Sequence, residues 1–248
     1  MTERLLLSFV DFKIILNRSS DTFCLMASED DAAYRVKLTE AYLKLRKVQV
    51  SPSVSMANEQ TLKIGPAIHP ICRLECKSFI ISAGNPSLRK DNIFNGLVPK
   101  TCESAAFNGA YKKNPYNFQN FGVSFIGITI NGEEVPLKAF QLSYAAATPR
   151  YIEAYNMLFS GTGKMYYNTG NEISRQDYAN GYAIYAFDLT PDMCGSSDHF
   201  NVSQRGNLAV DIKFFTAPTA ALSLVCYGEF ENTIHIDAER NVIYDYSG

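Results

Sequence analysis

The hydrophobic pattern is clearest between positions 181 and 237. Three runs of β-favouring residues, GYAIYAFDLTP, GNLAVDIKFF and ALSLVCYGEFENTIHID, are separated there by Pro, Gly and Ser clusters. In the second run Leu208, Val210, Ile212 and Phe214 alternate with Ala209, Asp211 and Lys213, the period of two that marks a strand with one buried face. In the third, Leu222, Leu224, Cys226, Gly228 and Phe230 share one face, and Ser223, Tyr227 and Glu229 share the other. Thr216-Ala217-Pro218-Thr219 lies between these runs, and Pro218 has no N–H to give a ladder, so the chain turns there. The pattern predicts a meander whose apolar face needs a second layer, with Leu208, Val210, Ile212, Leu222, Leu224 and Phe230 in the core.

Upstream, RLLLSFVDFKIIL at 4–16 reads as an opening strand covered on both sides, with Leu5, Leu7, Phe9 and Phe12 divided between two apolar faces. The run 34–50 is longer. Tyr34, Val36 and Leu38 are in phase, Ala41, Leu43 and Leu45 take over, and Val48 and Val50 switch back. A slip of one residue turns every side chain over, so bends are predicted near Thr39-Glu40 and Arg46-Lys47. Ser51-Pro52 offers an N-cap and an N1 proline for a short helix. Residues 71–81 read as a strand with Cys72, Leu74 and Cys76 opposite Arg73, Glu75 and Lys77, and 95–101 as a short strand. The Asn-, Gly- and aromatic-rich stretch 106–121 is a long ordered loop that meets something.

Asn131-Gly132 supplies the two positive φ angles of a type I′ hairpin within 122–138. Thr148 and Pro149 stand as N-cap and N1 of a helix with Ile152, Tyr155 and Phe159 on one stripe, closed by Gly161 in the left-handed conformation. The stretch 160–180 is loop, and the tail after Asn232 is a strand, a turn and a short closing strand. Together these elements predict an all-β chain, an antiparallel jelly-roll sandwich of about eight strands with two short helices in long connections. At 248 residues it is read as one domain over 1–248.

Charge and cysteine content narrow the classes of function. A net charge of -2 with no basic tail gives no field for counterion release, which argues against sequence-specific nucleic-acid binding. The three-leucine run near the start is too short for a signal-peptide core or a membrane span. Six scattered cysteines, Cys24, Cys72, Cys76, Cys102, Cys194 and Cys226, are expected as reduced thiols in an intracellular, non-secreted protein. The sequons at Asn17 and Asn201 then carry no sugar.

Each candidate for chemistry meets a physical objection. Gly161-Thr162-Gly163-Lys164 lacks the upstream glycine of a phosphate loop, where Leu158 stands, and has Met165 after the lysine. Cys72 and Cys76, four apart on a strand, lie about 13 Å from each other, too far to share zinc, and are read as buried small hydrophobes. His69, His199 and His235 are too scattered for a cupin-type iron site. Asp188, Asp192 and Asp198 with His199 offer a weak oxygen site for a cation, against which Thr190-Pro191-Asp192 is ordinary turn chemistry. The expectation is a protein without catalytic residues, cofactor or metal. The long loops at 103–121 and 160–180 hold Tyr111, Tyr116, Phe118, Phe121, Tyr166, Tyr167 and Tyr178. Aromatics in connections suit a subunit interface, and these seven are the interface candidates. A rival reading stacks Tyr111, Tyr116 and Phe118 on sugar rings, as in a carbohydrate- or ligand-binding jelly-roll module.

Several strings carry a resemblance in order and spacing: YRVKLTEAYLKLRKVQVSPSV, PICRLECKSFIISAG, AFNGAYKKNPYNFQNF, LFSGTGK, GNEISRQDYANGYAIYAFDLTPDMCG, HFNVSQRGNLAVDIKF and CYGEFENTIHIDAERNVIYDY. In these the chain resembles the major capsid (hexon-like) proteins of Polinton/Maverick elements and adintoviruses, over nearly its whole length from position 4. The resemblance implies a jelly-roll capsomer that assembles as trimers, with itself or with a companion jelly-roll domain, among the other capsid subunits of an icosahedral virion. Family members carry two jelly rolls in a longer chain, and the matching strings correspond to the C-terminal one.

Overall fold

The computed structural model describes residues 5–29, 33–94, 114, 116–166, 170–195, 201 and 205–244. In chain order the elements are helices α1 (Asp21–Cys24) and α2 (Pro52–Ile64), strands β1 (Ala67–Ile81), β2 (Ser87–Lys90), β3 (Val123–Ile130) and β4 (Glu133–Gln141), helices α3 (Ile152–Gly161) and α4 (Arg175–Ala179), and strands β5 (Leu208–Phe214), β6 (Leu222–Ile236) and β7 (Val242–Tyr244). The chain is mostly β, with antiparallel pairing and short helices in the connections. Its strands form a three-stranded sheet, order β1-β6-β7, and a four-stranded sheet, order β2-β5-β3-β4. Contacts group the chain into two compact units, one chiefly Met1–Ile71 and Asn232–Ser247, the larger chiefly Cys72–Asn108 and Lys113–Glu231.

The larger unit is organised by β5. Its Ile212 lies opposite Leu88 of β2 and Ile126 of β3, and Val210 lies opposite Ile128. Leu208, Val210, Ile212 and Phe214 are all buried, as their period requires, and Ala209 on the other face is buried too. Phe140, Phe187, Leu224, Cys226 and Phe230 complete the same core, with Phe94 set edge-on to Phe230 at 5.3 Å. Each such side chain contributes about 1.5–3 kcal/mol by leaving water. Leu222 is half-buried and packs against the cluster.

The β3–β4 hairpin turns on Asn131 and Gly132, whose φ angles of 54° and 91° are the pair the sequence predicts. A register shift between Ile126 and Ile128 marks a bulge partway along it. Three asparagines clasp that end of the sheet. Asn131 N–H donates to the Asn207 carbonyl at 3.0 Å, Asn207 N–H returns to Asn131 Oδ1 at 2.8 Å, and Asn92 N–H reaches Asn207 Oδ1 at 2.7 Å.

Several expectations need correction here. Helix α3 starts at Ile152 with Tyr151 at the N-cap, because Arg150 is held in a two-way backbone bridge with Ser143 (2.8 and 3.0 Å) and Thr148-Pro149 precede that bridge. Gly161 is the last helical residue, buried where a Cβ would meet the Ala186 backbone at 3.1 Å, and the left-handed glycine is Gly163 at φ 68°. A further helix, α4, lies in the stretch read as loop, and its signal is local: Ser174 Oγ caps the helix by accepting from Asp177 N–H at 3.1 Å and donates to Asp177 Oδ2 at 2.5 Å. The run at 183–189 is buried at Ala183, Tyr185, Ala186, Phe187, Asp188 and Leu189 yet forms no regular strand among the described residues. Strand β1 is as long as expected and more, but its faces are inverted. Cys72, Leu74 and Cys76 are exposed, and Arg73, Glu75 and Lys77 are half-buried. The Arg73 guanidinium lies 5.0 Å over the Phe230 ring and pairs with Glu75, so the charged face finds partners and the cysteines are not core residues.

In the smaller unit, Pro52 starts α2 as predicted, although Ser51 Oγ bonds Ser53 Oγ at 3.0 Å rather than capping the helix. Asp21 ties two stretches together, accepting from Arg18 at 2.6 Å and from Val36 N–H at 3.0 Å. The tail turn is closed by Asp237, which accepts from Asn241 N–H at 2.8 Å before β7 begins, matching the strand, turn and closing strand read from the sequence. The predicted strands at 5–16 and 34–50 are absent. Phe9 is 90% and Tyr42 73% exposed, and neither segment joins a sheet. Alternation supplies the side chains of a strand, but a strand also needs a neighbour's backbone, and no paired strand runs beside these segments among the described residues. The expected strand at 95–101 lies outside the described residues.

Candidate interaction surface

The aromatic loop is built by asparagine side chains acting as backbone partners. Asn114 Oδ1 accepts from Tyr116 N–H at 2.9 Å, Asn120 Oδ1 accepts from Gly122 N–H at 2.9 Å, and Asn120 Nδ2 donates to the Ala179 carbonyl at 2.8 Å. Phe118 then bridges to the chain after α4, its N–H donating to the Gly181 carbonyl at 2.7 Å and its carbonyl accepting from Ala183 N–H at 2.9 Å. The approach is so close that a Cβ on Gly181, at φ 126°, would sit 2.7 Å from Asn117 Oδ1. Phe121 and Gly122, both at positive φ, turn the chain into β3.

This framework holds three rings outward: Tyr116 at 57%, Phe121 at 52% and Tyr182 at 38% exposure. Phe118 is half-buried and meets Tyr116 edge-on, ring centroids 6.5 Å apart. Tyr182 escapes the sequence reading because it sits in a run whose neighbours are all core residues. Tyr111 and Tyr167 lie outside the described residues, and Tyr166 ends a short turn at Lys164–Tyr166.

Tyr178 belongs elsewhere. It is fully buried, packed 5.4 Å from the Tyr155 ring and 6.1 Å from Tyr151, and its hydroxyl donates to the Ile184 carbonyl at 3.0 Å. A side chain with no exposed surface offers nothing to a neighbouring subunit, so Tyr178 leaves the set of interface candidates. It anchors a cluster in which Tyr144 stacks on Tyr151 at 5.3 Å and shares a 2.9 Å hydroxyl bond with Tyr185. Burial holds the Tyr178, Tyr185 and Tyr144 hydroxyls neutral, pushing each above its ordinary value, most strongly for Tyr178 and Tyr185.

The acidic stretch after this core is turn chemistry. Asp188 is buried, and its Oδ1 accepts from the N–H and hydroxyl of Thr190 at 3.0 and 2.6 Å while Oδ2 accepts from Gly195 N–H at 2.9 Å. Asp192 Oδ1 accepts from Cys194 N–H at 3.1 Å. Both oxygens of Asp188 and Oδ1 of Asp192 are engaged by the loop itself, and Asp198 and His199 lie outside the described residues. Among the described residues no group of three or more His, Cys, Asp or Glu side chains is placed to hold a metal ion.

No family model matches the chain. It is 24% identical over 256 residues to an uncharacterised protein of Caenorhabditis elegans, an alignment covering 98% of this chain and 59% of that protein. The chain therefore spans about three-fifths of the length of the curated relative it matches. Among solved structures it is similar to the PBCV-1 virus capsid (TM-score 0.44, 11% identity, 74% of this chain and 52% of that one). It is similar to PBCV-1 VP54 fitted into a reconstruction of the virophage Sputnik (TM-score 0.45, 9% identity, 74% and 52%). It is also similar to the mavirus major capsid protein (TM-score 0.35, 13% identity, 74% and 43%).

Proposed function

We propose that this chain is a structural capsid protein, a jelly-roll building block over 1–248 of an icosahedral virus-like shell that assembles through trimeric capsomers. Its partners are copies of itself or a companion jelly-roll domain, together with the other subunits of the virion, and assembly takes place inside the host cell. It works by shape, without catalytic residues or cofactor. The observation that carries the reading is the apolar surface left outward on a β framework. Leu74 is 55% and Ile80 75% exposed on β1, and Tyr116 and Phe121 stand outward on a loop pinned by side-chain bonds. Large apolar and aromatic side chains held outward on a fixed frame are what interface cores draw on. The resemblance in the quoted strings supports a capsid as the kind of assembly. Among the described residues no helix is long and apolar enough to cross a membrane. A trimer has three copies around one axis, so its contact joins two different patches.

The test is the mass of the expressed chain across a concentration series, with Tyr116→Ser and Phe121→Ser combined in one variant. Trimers that dissociate at lower concentration in the variant, with the β circular dichroism unchanged, are the expected result. A chain that stays monomeric at every concentration, or a variant that assembles as the parent does, overturns the proposal.

A further inference from the structure

The larger unit holds a second surface feature that assembly does not require. Where β3 begins and β4 and β5 end, an open cleft of about 610 Å³ is lined by residues at those strand ends and by the 148–150 turn. Its walls are fixed by backbone bonds. Leu142 N–H donates to the Ser124 carbonyl at 2.8 Å, Phe215 N–H to the Gly122 carbonyl at 2.8 Å, and Ser143 and Arg150 are joined both ways. The floor is therefore as rigid as the sheet that ends in it.

The chemistry of the lining is selective. Two cations, Arg150 and Lys213, face the cleft, and no carboxylate lines it. Lys213 Nζ is held 4.6 Å over the Phe125 ring, which fixes its direction without neutralising it. The hydroxyls of Ser143 and Thr148 and the Gln141 amide add neutral donors and acceptors, while the Ser124 hydroxyl donates to the Lys213 carbonyl at 3.2 Å and offers the cleft only an acceptor. Phe215, 80% exposed at the end of β5, stands at the edge as a flat apolar face.

We infer that this cleft binds an acidic saccharide, a sugar ring carrying a carboxylate. The ring's hydroxyls meet the Ser, Thr and Gln groups, its apolar face lies on Phe215, and its carboxylate is taken by the planar fork of Arg150, with Lys213 as a second charge. Sites for neutral sugars commonly draw on acidic acceptors for the sugar hydroxyls, and their absence from this lining makes the ligand's own anion the dominant attraction. The volume lies within the range of small-molecule sites. A nucleotide fits less well, because the lining holds neither a glycine-rich turn nor a helix N-terminus to receive a phosphate chain.

The experiment titrates the whole chain with sialyllactose, lactose and adenosine monophosphate by calorimetry, and repeats the sialyllactose titration with Arg150→Met, Lys213→Met and Phe215→Ala. These positions are exposed, so folded variants are expected, and circular dichroism checks each one. Sialyllactose should bind at least about ten-fold more tightly than lactose, weaken with added salt, and lose about ten-fold or more in Arg150→Met, the scale of one charge-assisted pair. Lactose binding as well as sialyllactose, adenosine monophosphate binding more tightly than either, or a folded Arg150→Met that binds like the parent would each overturn the inference. So would the absence of any sialyllactose binding at about 10 mM, where even a weak specific site fills. All of these readouts are independent of whether the chain trimerises.

Discussion

Strands β5 and β1 both alternate in sequence, and they differ in what the covered face carries. On β5 the apolar set is inside, with Ile212 3% exposed, and Lys213 is outside. On β1 Cys72, Leu74, Cys76 and Ile80 are outside, while the covered face carries the half-buried Arg73 and Glu75 and ends in Phe79 and Ile81, which join the core. The difference lies in what each charged face can find. Arg73 lays its guanidinium on Phe230 and pairs with Glu75, so a charged row tolerates partial burial. Period two thus fixes which residues share a face and leaves open which face is covered.

The comparison can be broken first at β5. Ile212→Ala should destabilise the chain by about 2–5 kcal/mol, from lost transfer energy and the cavity left behind. Denaturant melts measure it, and a loss under about 1 kcal/mol would place Ile212 at a surface. Alkali sharpens the contrast between core and surface. Tyrosines in the unfolded chain ionise near pH 10, while burial raises the folded-state values of Tyr144, Tyr178 and Tyr185. Their contribution is full below that pH and is lost as pH climbs above it toward the folded values. Thermal midpoints should therefore fall from about pH 10 upward, and the fall should be shallower in Tyr185→Phe.

Thiol chemistry separates β1 from its neighbour β6. Cys72 and Cys76 are exposed, while Cys226 is 1% exposed, so a thiol reagent should modify the first two in the native protein and Cys226 only on unfolding. Desolvation raises the Cys76 thiol and slows its reaction near neutral pH. Mass spectrometry of the labelled peptides gives the order, and early labelling of Cys226 would mean the core is misplaced. The smallest effect belongs to β1 itself. Ile80→Ser should change the stability of the unassembled chain by no more than about 0.5 kcal/mol, because that side chain is already in water. A much larger loss would show that the Ile80 side chain is covered.

What the sequence made legible follows the same division. Asn131-Gly132, the β5 alternation and the tail hairpin are local signals, and each is found where it was read. Ser174 and Asp177 were equally local, but a five-residue helix inside a polar stretch has no apolar stripe to draw the eye. The segments 5–16 and 34–50 were misread because their side chains alternate while their backbones find no sheet. Tyr178 looked like a loop aromatic, since nothing near it in sequence announces Tyr151 and Tyr155, the rings that enclose it. The cleft at the strand ends was invisible, because Ser124, Arg150 and Lys213 come from three separate stretches that only the folded sheet brings together.

The asparagine clasp also sets how the protein ages. An asparagine followed by glycine is the pair in which the next backbone nitrogen most readily attacks the side-chain carbonyl, expelling ammonia and closing a succinimide that water reopens largely as isoaspartate. In the folded chain Asn131 Oδ1 is held by Asn207 N–H, which fixes the carboxamide that the Gly132 nitrogen would have to reach. A chain that has passed through the succinimide carries one extra backbone carbon in a loop whose two-residue length fixes the pairing of β3 with β4. The same dipeptide that sets the hairpin is thus its chemical clock, slow once folded and fast in chains that wait unfolded.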